Sequence, residues 1–158
     1  MDLLNVPQRY IPKGLSEKDT KKQKKYLRKS RKMYKKGKYY ERPKVKTFKS
    51  RKSNHLKRAE KIYNIDKISP SKELARKTKC KRSALEKIVN KGRGAYFSSG
   101  SRPNQTGESW GLARLASTIS GGNASIVDFH ILKEGCQPSS KALKLARKTC
   151  KKQNRNCK

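Results

Sequence analysis

The sequence predicts a mainly α-helical protein, in which a small helical module follows a long basic N-terminal arm that is extended or only conditionally helical. Three observations lead to this prediction. Basic residues outnumber acidic residues by 44 to 11 in 158 residues, giving a formal net charge of +33. Apolar residues recur at intervals of three and four in several short segments, which is typical of helices. No pair of alternating runs predicts a β-hairpin.

Charge is unevenly distributed along the chain and sets the predicted domain boundaries. Residues 17–52 hold 18 basic and 3 acidic residues, whereas residues 95–135 hold three of each. Repulsion within the basic segment opposes compaction unless an anion neutralises it. We therefore predict a basic arm over residues 1–53 and a helical module over 54–150, best packed in its neutral segment, with a basic tail over 151–158.

The basic arm contains signals for one helix. Ser16 can cap its start and Gly37 can end it. Between them runs a thin apolar stripe, formed by Tyr26, Leu27, Met33 and Tyr34. Like charges four residues apart oppose this helix until a partner screens them, and the chain beyond it reads as extended. Because lysine and arginine neutralise phosphates, we expect anion binding here. The candidate residues are Lys21, Lys25, Arg28 and Lys32.

The module is predicted to consist of short helices. They are expected over residues 54–64, from about Ser69, over 81–91 ending at Gly92, around 112–119, over 124–134, and after Ser140. Apolar residues of the neutral segment are expected to form the core and the docking contacts with a partner. These core and docking residues are Trp110, Leu115, Ile119 and Phe129.

One segment of the module, residues 69–91, has the spacing of a DNA-binding helix-turn-helix. The small or apolar residues that this motif requires fall at Ala75, Cys80, Leu85 and Ile88. Lys79 occupies the turn position, where glycine is usual because the backbone is left-handed. Two helices that merely pack together produce the same spacing, and this structural alternative is favoured. In the DNA-binding alternative, the anion-binding residues are Lys81, Arg82 and Lys87.

A loop rich in glycine and serine, residues 97–107, is a weaker candidate site. Its amides and hydroxyls lie beside Arg102 and can in principle hold an anion. The favoured interpretation is a turn-rich loop that caps the following helix. The sequence has no nucleotide-binding glycine loop, paired carboxylates or metal-ligand spacing, so we predict no catalytic residue, cofactor or metal, and a non-enzymatic role.

The four cysteines are expected to be free thiols in a reducing compartment, although a particle that leaves the cell could oxidise them. Cys150 and Cys157 would lie about 10 Å apart along a continuous helix, which is too far for a disulfide. No apolar run is long enough to span a bilayer. Residues 1–10 lack the pattern of a secretory signal, so the chain is not expected to be secreted.

Three stretches of the chain together resemble a known family. Residues 94–106 read GAYFSSGSRPNQT, residues 109–117 read SWGLARLAS, and residues 121–128 read GGNASIVD. They resemble an uncharacterised family of small basic proteins encoded by nucleocytoplasmic large DNA viruses. The resemblance covers most of the chain and implies a virion-associated protein, but it supplies no catalytic residue.

Charge and resemblance together predict a function. We expect a non-enzymatic structural protein of the virion, a polycation that serves as a minor capsid or cement component. The alternative is a viral DNA-binding protein that neutralises or packages the genome. Expected partners are viral capsid proteins, viral double-stranded DNA, and an anionic membrane face. The protein is expected in the virion and, during assembly, in the host cytoplasm or nucleus.

Overall fold

In the computed structural model, which describes residues 6–157, the regular secondary structure is almost entirely helical. Within this range a short 3-10 helix, Gln8–Tyr10, precedes eight α-helices. Their bounds are α1 Glu17–Lys35, α2 Asn54–Tyr63, α3 Lys72–Thr78, α4 Arg82–Ser98, α5 Gly107–Ile119, α6 Ala124–Val127, α7 Phe129–Gly135 and α8 Lys141–Lys152. Residues 6–157 form no strand, and extended backbones pair only at the isolated bridge between Cys80 and Cys136. The predicted mainly α fold is confirmed.

Several helix ends follow the local signals in the sequence. The Ser16 hydroxyl accepts a hydrogen bond from the Asp19 amide at 3.1 Å and so caps α1. Ser140 caps α8 in the same way through the Leu143 amide at 3.4 Å. These hydroxyls satisfy amides that have no partner within the first turn. Gly37, with φ +77°, follows the end of α1 as predicted.

Two helices differ from the prediction. α4 does not stop at Gly92 but continues to Ser98. A Cβ atom at Gly92 would lie only 2.5 Å from the Gly111 Cα atom, so this glycine permits α5 to pass close by rather than ending α4. The single helix predicted over 124–134 is two helices, because Asp128 leaves the helical conformation with φ −97° and ψ 12°.

The described chain forms two compact units. The first unit contains residues 6–51 and Arg93–Trp110, and the second contains Lys52–Gly92 and residues 111–157. α4 and α5 each contribute residues to both. The predicted division into an arm, a module and a tail does not match these units. The basic N-terminal segment is folded together with part of the neutral segment, and residues 151–157 belong to the second unit.

The second unit has an extensive apolar core. Ala59 and Tyr63 of α2, together with Leu74 of α3, are buried in it. α8 packs against α6 and α7, and α2 packs against α3. The largest fully buried side chains of this core include Ile68, Leu74, Leu85, Ile88, Leu115, Ile119, Leu132 and Leu143. Leu115, Ile119 and Phe129 are core residues, as the sequence indicates.

The first unit has a much smaller apolar core. Tyr10, Ile11 and Leu27 form its buried cluster, and Val6 and Trp110 pack against them half-buried. The Trp110 and Tyr10 rings meet edge to face, with centroids 6.3 Å apart. Trp110 therefore belongs to a different core from Leu115, and the prediction of one shared core was wrong.

Candidate nucleic-acid interface

The inward face of α1 is mainly polar. Its buried residues are Asp19, Gln23, Leu27 and Ser30, spaced by four, four and three residues. The Gln23 side-chain amide donates to the Tyr10 and Ser101 carbonyls, both at 3.2 Å. Of the predicted apolar stripe, only Leu27 is buried. The prediction of the buried face of α1 was wrong because it considered only apolar residues. Polar side chains can also be buried when they form hydrogen bonds.

Arg42 is the centre of the polar network in the first unit and is only 8% exposed. Its guanidinium donates to the Ser30 hydroxyl, the Tyr96 carbonyl and the Ser101 hydroxyl at 2.7–2.8 Å. It also lies 3.8 Å from the centre of the Tyr96 ring. Burial lowers the pKa of this guanidinium from its ordinary value. The arginine ties residues distant in sequence together with directional hydrogen bonds.

The segment predicted to be extended, residues 39–53, is held by two further sets of hydrogen bonds. The Asn104 side chain accepts a hydrogen bond from the Val45 amide at 2.7 Å and donates hydrogen bonds to the Val45 and Phe48 carbonyls. Asp19 accepts the Thr47 amide at 2.8 Å and the Thr47 hydroxyl at 2.6 Å. These bonds from Thr47 lower the pKa of Asp19. The expectation of an unanchored basic arm is thus corrected within residues 6–53.

The outward face of α1 carries the predicted anion-binding residues. At 3.6 residues per turn, Lys21, Lys25, Arg28 and Lys32 fall opposite the buried residues of the same helix. Lys21, Lys25 and Lys32 are exposed, whereas Arg28 is half-buried and takes part in an interaction within the protein. Lys21 lies 3.7 Å from Glu17, and both side chains are highly exposed. The helix therefore presents a row of cations on a folded support.

The α3–α4 hairpin forms as the spacing predicts. Lys79, the turn residue, has the left-handed conformation with φ +56°. Cys80, Leu85 and Ile88 are buried, and Ala75 is half-buried. The candidate cations Lys81, Arg82 and Lys87 are all exposed. However, the Arg82 side chain donates to the Pro70 carbonyl at 2.9 Å and lies 3.5 Å from the Glu86 carboxylate.

The cysteines are paired, so the expectation of free thiols was wrong. Cys80 is bonded to Cys136, and Cys150 to Cys157. α8 ends at Lys152 and the left-handed Asn154 turns the chain back. This turn brings the Cα atoms of the second pair to 6.1 Å, within the usual range for a disulfide, which the assumption of a continuous helix excluded.

The 97–107 loop uses many of its polar groups within the protein. The Thr106 hydroxyl caps α5 by accepting the Ser109 amide at 3.0 Å, and the Ser109 hydroxyl accepts the Thr106 amide in return. Asn104 and Ser101 hold the basic segment through the bonds described above. Arg102 is exposed. This arrangement favours the interpretation of a capping loop over that of an anion site.

A buried carboxylate in the second unit was not predicted. Asp128 is fully buried and accepts hydrogen bonds from Lys91 at 2.8 Å, Arg114 at 2.8 and 3.0 Å, and Thr118 at 2.9 Å. Burial by itself would raise the pKa of Asp128, but the bonds from Arg114 and Lys91 outweigh it and the pKa is lowered. A lone aspartate between apolar residues was the only signal in the sequence.

The residues described by the structure show no other recognisable site. Within residues 6–157 there is no group of three or more histidine, cysteine or acidic side chains arranged to hold a metal. Over the same range, none of the helices combines the length and apolarity that crossing a membrane requires.

Fold and surface together define a small, strongly basic helical protein. Residues 7–134 match the model of a "Family of unknown function (DUF5824)", and the chain belongs to that family. The predicted membership in an uncharacterised family is confirmed. No curated protein and no solved structure matches the chain.

Proposed function

We propose that this protein is a non-enzymatic nucleic-acid-binding component of the particle of a nucleocytoplasmic large DNA virus. The observation that carries the proposal is the cationic outward face of α1, held on a folded support by Gln23, Leu27 and Ser30. Sequence resemblance supports the viral context, and the +33 charge supports an anionic partner.

The α1 face suits a linear polyanion. Lys21 and Lys32 are eleven residues apart, which corresponds to about 16 Å along a helix axis. Duplex DNA carries one negative charge per ~1.7 Å of its axis, so a duplex alongside presents about ten phosphates over this length. Like charges at positions 21, 25 and 32 repel one another in the free protein, and phosphates remove that repulsion. The hydrogen bonds on the inward face keep α1 folded before DNA binds. Binding therefore costs little conformational entropy in this helix.

The α3–α4 hairpin supplies a secondary contact in this proposal. Its exposed Lys81 and Lys87 can neutralise further phosphates, whereas Arg82 already binds Pro70 and Glu86. We therefore assign the hairpin to binding that is independent of sequence, because phosphate contacts carry no base information.

The test is the salt dependence of duplex binding by the full-length protein. The triple variant Lys21→Gln/Lys25→Gln/Lys32→Gln should make the log–log salt slope less negative by about 2 to 3, since each neutralised phosphate contributes ~0.9. The matched control is Lys141→Gln/Lys144→Gln/Lys148→Gln on α8, which removes the same charge from exposed positions. If the control changes the slope as much as the α1 variant, binding is not localised to α1.

A minor capsid or cement role is the second candidate. It is favoured by the two disulfides, because such bonds persist in oxidising surroundings such as those of a released particle. Gentle disruption of purified virions separates the two roles. Release of the protein with the DNA supports genome binding, and retention in the shell supports the cement role.

A further inference from the structure

Aromatic rings are unusually exposed at the C-terminal end of α1. Tyr39 is 72% exposed and Tyr34 38% exposed; the third exposed large hydrophobic residue of the described chain, Val127, is aliphatic. Single exposed apolar residues are ordinary, but neighbouring exposed rings mark a surface that binds something. The function of these rings is not accounted for by phosphate binding on the α1 face.

Local backbone geometry places the two tyrosines side by side. After α1 the Gly37 amide donates to the Tyr34 carbonyl and the Lys38 amide to the Met33 carbonyl, both at 2.9 Å. This pair of bonds is the Schellman ending, which turns the chain back over the last helical turn. As a result the Tyr34 and Tyr39 ring centroids lie 6.2 Å apart.

A third ring extends this surface, and a fourth anchors it. The Phe97 centroid lies 5.1 Å from that of Tyr39, and Phe97 is half-buried. Phe97 in turn meets the fully buried Tyr96 ring edge to face at 4.9 Å. Tyr34, Tyr39 and Phe97 form what we call the aromatic platform. Because Tyr96 is itself held in the Arg42 network, the platform rests on a rigid base.

Folding alone does not explain Tyr39. Most of its ring is exposed to solvent, so its burial contributes little to stability. A lysine or serine at this position would expose less apolar surface to solvent. The tyrosine ring is therefore better explained by a partner that packs against its face.

Basic residues lie beside the platform tyrosines in the sequence. Lys35, Lys36 and Lys38 lie between the two tyrosines in the sequence and are exposed. Lys29 lies 4.6 Å from the centre of the neighbouring Tyr40 ring. Glu41 is the one acidic residue within the segment 34–42. Exposed rings among cations combine the two features that bind single-stranded nucleic acid: base stacking and phosphate neutralisation.

We propose that the aromatic platform is a stacking site for unpaired bases, so that the protein binds single-stranded nucleic acid more tightly than its charge alone provides. In a duplex the base faces are covered by their neighbours, and only the phosphates remain available to the α1 face. This inference rests on the proposed nucleic-acid function and identifies the form of nucleic acid for which the platform is built.

The experiment compares three ligands at one salt concentration: oligothymidylate, an abasic strand of equal length, and a duplex. Stacking contributes about 1–3 kcal/mol per base, which corresponds to roughly 5- to 150-fold in Kd. Tyr39→Ala in the full-length protein should weaken oligothymidylate binding by that factor and leave duplex and abasic binding unchanged. Tyr39→Phe keeps the ring face and should retain wild-type affinity.

The outcomes separate this inference from the proposed function. If the wild-type protein binds the abasic strand as tightly as oligothymidylate, bases do not stack and the platform proposal is overturned, whatever the variant does. Equal oligothymidylate affinity of Tyr39→Ala and wild type overturns it as well. In either case, salt-dependent binding of duplex DNA would still support phosphate binding by the α1 face. If the wild-type protein bound none of the three ligands, the platform proposal and the proposed nucleic-acid function would both be overturned.

Discussion

The two units of this protein are stabilised in different ways. Among residues 6–157, the buried apolar cluster of the second unit comprises 21 residues, whereas that of the first comprises Tyr10, Ile11 and Leu27. The second unit also contains both disulfides. The first unit instead relies on hydrogen bonds from Gln23, Arg42 and Asn104.

This difference shows how a highly basic segment folds without a large apolar core. Buried polar groups stabilise a structure only when their hydrogen bonds are satisfied, and removing one partner leaves another unsatisfied. The first unit should therefore depend on the identity of a few side chains, and the second on packed volume and cross-links.

Opening the disulfides should affect the second unit most. The Cys80–Cys136 bond joins residues 56 apart and Cys150–Cys157 joins residues 7 apart. By the entropy of loop closure, they contribute about 4 and about 2.5 kcal/mol respectively. Urea unfolding of Cys80→Ser/Cys136→Ser and of Cys150→Ser/Cys157→Ser checks the order, and hydrogen exchange should show the larger loss of protection in the second unit. Equal losses in the two variants would contradict the loop-length argument.

Asp128→Asn should cost about 3 kcal/mol, because Lys91 and Arg114 lose their buried counter-charge. The folded pKa of Asp128 is lowered, so its stabilisation is complete above the ordinary value of 3.8 and is lost as pH falls through the lower folded pKa. Urea unfolding between pH 7 and pH 2 should show a larger acid loss in the wild type than in the variant, which keeps the contribution of Asp19.

The control for Asp128 lies in the first unit. Glu108 forms an ion pair with Arg93, and both side chains are about half exposed. Such pairs contribute 0–1 kcal/mol, so Glu108→Gln should change the free energy of unfolding by less than ~1 kcal/mol. A loss as large as that of Asp128→Asn would show that burial is not the source of the difference.

Arg42→Met should destabilise the first unit by about 2–3 kcal/mol. Methionine keeps an apolar chain of similar length but leaves the Ser30 and Ser101 hydroxyls and the Tyr96 carbonyl without their donor. Hydrogen exchange should report the loss in the first unit. Arg42→Lys should recover only part of it, since one ammonium does not reproduce the planar fork of the guanidinium. Full recovery by lysine would mean that charge alone matters.

Gly100→Ala should cost about 1–2 kcal/mol. Gly100 has φ +133°, and a Cβ there would lie 2.8 Å from a Leu27 methyl group. Gly14 is the matched control, because a Cβ at that position meets nothing within 4 Å. Thermal unfolding of both variants should show a lower Tm for the first only. A wild-type Tm for Gly100→Ala would contradict the steric argument.

The sequence predicted the apolar core of the second unit better than the polar hydrogen-bond network of the first unit. The Cys80, Leu85 and Ile88 spacing predicted the α3–α4 hairpin because apolar periodicity follows burial directly. Lys21, Lys25 and Lys32 were chosen as candidates for their charge, and the structure shows that they are exposed on α1. The burial of Arg42, Asn104 and Asp128 was not predicted, because a polar residue in a basic sequence looks the same whether it is buried or solvated.

Local spacing and charge were enough to predict the helical class, the cap of α1 at Ser16 and a last helix after Ser140. They did not predict that Arg42 joins the basic segment to Tyr96 and Ser101, that Gly92 lies within a helix, or that all four cysteines are paired. Each of these depends on residues distant in sequence being brought within hydrogen-bonding or van der Waals distance, which periodicity does not encode.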